Sequence, residues 1–134
     1  MAGPRTDPQL VEEFVGRAHG DLARVTELLD REPNLVNAAW DWGGGDWESA
    51  LGAAAHMGRR DIALLLLGRG ARMDLFAAAM LGHLDAVKAI LAADPDAASR
   101  PGPHGIPLLK HAEAGGEAAA DVLAFLRRLP PASA

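Results

Sequence analysis

Five histidines and a loop of tryptophan and aspartate are the residues of this chain that could do chemistry. Histidine titrates near neutral pH, and a neighbouring carboxylate can fix its tautomer. Asp41, Asp46, His56 and His104 would together suit general acid–base work or a divalent cation, provided the fold gathers them. Nothing local demands it. No His-Glu-x-x-His spacing occurs, there is no cysteine, and no Ser/His/Asp order offers a nucleophile. Ser49 and Ser99 read as helix caps. His19 and His83 flank Gly20 and Gly82 and read as exposed or turn-stabilising. His111 reads as a buried structural histidine satisfied by a hydrogen bond. On these grounds no catalytic residue, metal site or cofactor is expected.

All three tryptophans fall in one stretch, Trp40-Asp41-Trp42-Gly43-Gly44-Gly45-Asp46-Trp47. Tryptophan combines a large contact area with one N–H donor and is enriched at binding hot spots. Three glycines permit a tight reversal or a close backbone approach. A structural role is the competing reading, with Trp47 clamping the loop onto the core. A phosphate cradle is excluded, because no Lys-Ser/Thr follows and two aspartates flank the glycines.

The elements that must position these residues come from an internal repeat. Gly20-x-Leu22-x-x-Val25-x-x-x-Leu29-x-x-x-Pro33 returns as Gly82-x-Leu84-x-x-Val87-x-x-x-Leu91-x-x-x-Pro95, shifted by 62 residues. Ala50-Leu51 before Gly58 returns as Pro107-Leu108 before Gly115, shifted by 57. Each unit reads as a helix, a glycine turn, a second helix and a connecting loop. Ile62, Leu65 and Leu66 share one face, as do Val87, Ile90 and Leu91, and Val122, Phe125 and Leu126. Nothing alternates with period two, so no sheet is predicted. Residues 1–7 and 130–134 read as frayed.

The runs Ser49-Ala50-Leu51-Gly52-Ala53-Ala54-Ala55-His56-Met57-Gly58, Leu75-Phe76-Ala77-Ala78-Ala79-Met80-Leu81-Gly82-His83 and Gly70-Ala71-Arg72-Met73-Asp74 resemble the ankyrin-repeat family. So does Ile106-Pro107-Leu108-Leu109-Lys110-His111-Ala112-Glu113-Ala114-Gly115. The family's threonine and histidine are missing, and Gly52, Phe76 and Leu109 stand at the histidine position. The resemblance implies an all-α solenoid of four helix-turn-helix repeats in a single domain over 1–134, with repeats at about 10–37, 48–73, 74–99 and 105–129. It also implies binding of a protein or peptide through the concave face and loop fingers, without catalysis.

Ankyrin units run about 33 residues. The turn glycines Gly20, Gly58, Gly82 and Gly115 lie 38, 24 and 33 residues apart. The spacing predicts a long finger at about Asn37–Trp47, none between the second and third repeats, and an ordinary one at about Ser99–Gly105. The missing finger predicts a notch floored by Phe76 and Met80. Expected binding residues are Trp40, Asp41, Trp42, Asp46, Trp47, His56, Met57, Phe76, Met80 and His104. An alternative to the interaction module is a small-molecule-binding protein or enzyme, with its pocket between the Trp40–Trp47 loop and the His104 loop.

Composition narrows the partners. Net charge is −5, and Arg59, Arg60, Arg69 and Arg72 are interrupted by acids, so nucleic acid is not expected. The apolar runs Ile62–Leu67 and Leu75–Leu81 are too short for a bilayer, and the N-terminus carries no apolar signal core. Lack of cysteine fits a reducing cytoplasm, and the Ala, Gly and Arg content suggests a GC-rich bacterial source.

Overall fold

The computed structural model describes residues 3–130 and is mainly helical. Of the expected frayed ends, residues 1–2 and 131–134 lie outside the described residues. Eight α-helices form four hairpins: α1 (Pro8–Arg17) with α2 (Leu22–Arg31), α3 (Ala50–His56) with α4 (Arg60–Gly68), α5 (Leu75–Leu81) with α6 (Leu84–Ala93), and α7 (Leu108–Ala114) with α8 (Ala120–Arg127). Polar caps start several of them. Asp7, Asp21, Ser49 and Asp74 each accept a backbone N–H from the first turn of α1, α2, α3 and α5. Asp74 thus caps α5 just ahead of its first residue.

The first helices of the hairpins pack in a row, α1 on α3, α3 on α5 and α5 on α7. Alanine makes this row possible. Ala50, Ala53, Ala54, Ala55, Ala77, Ala78 and Ala79 are all fully buried, and such small side chains let neighbouring helices approach closely. Phe14, Leu28, Leu51, Ile62 and Leu66 fill one core cluster, joined by Ala77 and Met80 of α5. Leu75 and Ala78 of the same helix belong to a second cluster with Val87, Leu91, Leu108 and Val122. Four residues expected to face inward, Leu65, Ile90, Phe125 and Leu126, are only partly buried.

The connections are unequal. Residues 69–74 join α4 to α5 with no finger, as the short spacing predicts. Between α6 and α7 the chain makes two short 3-10 turns, Pro95–Ser99 and Pro103–Gly105. The long finger corrects the expectation of no sheet. It is a β-hairpin, β1 (Ala39–Asp41) antiparallel to β2 (Trp47–Ser49), with Trp40 opposite Glu48. Gly43, Gly44 and Gly45 all take positive φ in its turn. Asp41 fixes that turn, accepting the backbone N–H groups of Gly43 at 2.9 Å and Gly45 at 3.1 Å. Strands of three residues are too short to show a period of two.

Candidate metal centre

The hairpin's alternation decides the site. In β2 the side chains of Trp47, Glu48 and Ser49 are exposed, buried and intermediate in turn. A buried carboxylate must be hydrogen-bonded or paired. Glu48 has four partners from separate parts of the chain. The indole N–H of Trp42, in the hairpin, donates to Oε1 at 2.9 Å. His19, just after α1, puts Nε2 3.1 Å from Oε1. His56, the last residue of α3, puts Nε2 2.9 Å from Oε2. His104, in the turn before α7, puts Nε2 3.1 Å from Oε2.

The outward nitrogens are anchored too. His19 Nδ1 donates to the carbonyls of Val15 at 3.1 Å and Gly16 at 3.0 Å. His104 Nδ1 lies 2.7 Å from Asp46 Oδ2, and the His104 backbone N–H donates to Asp46 Oδ1 at 2.7 Å. This second bond holds His104 in the left-handed region, at φ 61°, which few residues with a side chain adopt. Three imidazole nitrogens and one carboxylate oxygen thereby converge, all within 4.8 Å of one another.

Electrostatics follow from the contacts. Burial works to raise the Glu48 carboxyl, but the hydrogen bonds from His19 and His56, the charge of His19 and the Trp42 N–H outweigh it. The group therefore titrates well below the usual carboxylate range. The Glu48 hydrogen bond raises His19 above the ordinary histidine value. The backbone N–H of His104 is the main cause lowering Asp46.

Of the expected binding residues, Trp42, Asp46, His56 and His104 do meet here. The others go elsewhere. Trp40 is half-buried against the first core cluster and is the residue that clamps the finger, whereas Trp47 is 61% exposed. Asp41 is spent on the glycine turn. Met57 is exposed at the end of α3. Met80, on α5, is buried in the first core cluster and cannot meet a partner. The predicted notch is crossed by the Asp46–His104 contact, and its Phe76 floor is occupied, because the Phe76 ring lies tilted against His111 at 4.7 Å between centroids, with Gly102 packed against both. A surface cleft of about 400 Å³ lies instead beside α7 and α8, lined in part by Pro95, Leu108, Leu126 and Leu129.

Two members of the set, His19 and Glu48, escape the sequence reading. His19 stands one residue before Gly20, just beyond α1, and His56 two before Gly58, at the end of α3, so both lie at first-helix ends of adjacent hairpins. That shared position was the signal. Glu48 gives a signal only once the hairpin is known, since its burial follows from the alternation in β2.

The chain was compared with known proteins. No family model, curated protein or solved structure matches it. Its function therefore rests on the site itself.

Proposed function

We propose that this chain is a metal-binding protein, holding one divalent transition-metal ion on His19, Glu48, His56 and His104. The observation that carries this reading is the direction of the nitrogens. His19 and His104 each aim Nδ1 at an acceptor, so that nitrogen carries the proton, and aim Nε2 at the carboxylate. Nε2 of a neutral ring with that tautomer is a lone pair facing an anion. Either a proton on each Nε2, as in the metal-free hydrogen bonds above, or one metal ion shared by all three rings must lie between them. An outward N–H on a carbonyl or carboxylate is also how ligating histidines are commonly oriented. Three imidazoles, one carboxylate and no thiolate suit Zn, Ni, Co, Fe or Cu rather than Mg or Ca.

The fold reading beside it is an ankyrin-like solenoid of four repeats. Four stacked helical hairpins, left-handed turn glycines at Gly58 and Gly82, and a β-hairpin finger support it. An interaction module is the second reading, favoured by Trp47 and Met57, large apolar side chains left exposed at the finger and at the end of α3. No helix of the described residues is long and apolar enough to cross a membrane.

Isothermal titration of the whole chain with Zn(II), and with Mg(II) as the hard-cation control, tests the metal reading. One zinc per chain is expected, with Mg(II) unable to compete. His104→Ala, on an exposed loop where folding is retained, should weaken binding severely, as should Glu48→Gln. The network can also be closed by protons alone, as an ion-pair cluster. Wild type that binds no zinc, or binding indifferent to His104→Ala, would establish that cluster and end the metal proposal.

A further inference from the structure

The three rings and the carboxylate do not enclose the space between them evenly. Glu48 Oε2 lies 2.9 and 3.1 Å from the nitrogens of His56 and His104. Oε1 lies 3.1 Å from the nitrogen of His19, so the buried carboxylate backs all three rings from one side.

The open side can be located. Ring centroids of His19 and His56 are 5.0 Å apart, and those of His56 and His104 are 5.3 Å apart. His19 and His104 are 6.2 Å apart, the widest side of the triangle. That side also faces solvent. The side chains of His19 and His104 are 26% and 31% exposed, against 10% for His56 and none for Glu48. The Trp42 ring stands beside the gap, 6.3 Å from His19 and 6.4 Å from His104. Glu48 and the end of α3 close the rear.

We infer that the metal centre keeps an exchangeable coordination position between His19 and His104, bordered by Trp42, which takes water or a compact anionic donor such as a small carboxylate. This rests on the metal reading above. It makes the centre a reactive type rather than a closed structural staple, because an open position is what lets a metal acidify water or polarise a bound oxygen. Trp42 limits the ligand to something small and gives it one apolar wall.

Cobalt(II) in place of the native ion makes this visible in the whole chain, with azide as the probe. The expected result is a cobalt visible spectrum of the weak, five- or six-coordinate kind that shifts saturably as azide is added, one azide per cobalt. His104→Ala serves as the reference for an opened shell. An intense four-coordinate spectrum that azide does not alter in wild type, with a response appearing only in His104→Ala, would show a closed site and overturn the inference while leaving the metal reading intact. No cobalt bands at all would remove both.

Discussion

Asp46 touches only His104 in the centre, yet it fixes which nitrogen of that ring faces Glu48. Partners of this kind are typically worth 10–100-fold in metal affinity. Asp46→Asn should therefore weaken zinc by roughly that factor, measured by competition with a chelating dye, with the metal-free fold unchanged by circular dichroism. An unchanged affinity would mean that His104 is oriented by its loop alone. His111 tells a different residue-scale story. It is fully buried, donates from Nδ1 to the Pro107 carbonyl at 2.9 Å, and leaves Nε2 without a partner. Burial lowers its pKa below the ordinary value of 6.5. The unfolded chain then binds more protons as pH falls past 6.5, so stability is full above that value and lost towards the lower folded pKa. Asp74, the cap of α5, and His56, at the end of α3, are the titratable groups that act on it, and Lys110 and Glu113 stand beside it in sequence on α7. Asp74 is itself held above the ordinary carboxylate value, mainly by burial. Urea unfolding of metal-free protein at pH 7.5 and 5.5 should show a smaller loss in His111→Met than in wild type. Equal losses would place the acid sensitivity elsewhere. The structural role of His111 was legible from its helical position, but its lack of a second partner was not, because that depends on which side chains of α5 it meets.

Helices were the legible elements, since glycine turns and apolar spacing are local signals. Glycine itself carries two different meanings here that sequence cannot separate. Gly115 has ordinary helical dihedrals, yet a Cβ there would collide with the Met80 carbonyl oxygen and the Ala119 side chain. It is a glycine because α5 and α7 need the space. Gly68, the last residue of α4, has nothing within 4 Å of where a Cβ would stand. Gly115→Ala should destabilise by about 1–3 kcal/mol through overpacking, whereas Gly68→Ala should be neutral or stabilise by about 0.4–1 kcal/mol. Chemical denaturation of both variants checks the pair, and a neutral Gly115→Ala would mean that α5 and α7 can separate freely. The core positions give a parallel case. Leu66 rather than Leu65 is fully buried, so Leu66→Ala should cost about 2–5 kcal/mol and Leu65→Ala clearly less. The hairpin was the element that could not be read, and with it went Glu48.

At the scale of the whole molecule, repeats were visible because each is a local unit, while the site was not because it is built from contacts between units. Asp46 and His104 are 58 residues apart, and only the absent finger between the second and third hairpins lets them meet. One ion on His19, Glu48, His56 and His104 would therefore tie the end of α1 to the loop before α7 across the stack. This has a consequence for motion. Segments whose opening releases the metal must overcome its binding free energy, about 2.7 kcal/mol when zinc is at a hundred times its dissociation constant. That slows their amide exchange on the order of 100-fold, while segments that open without disturbing the centre are unaffected. The backbone N–H groups of Gly102, His104 and Gly105, bonded to Ile106, Asp46 and Gly102, belong to the first kind, as does the turn at His19 and Gly20. Helix α8 shares no ligand with the centre and belongs to the second. Hydrogen exchange with and without zinc should show residues 102–106 and 19–20 slowing together while the end of α8 keeps its rate. Slowing confined to one of the two segments would mean that the ion does not bridge them, and uniform slowing would mean that the stack opens only as a whole.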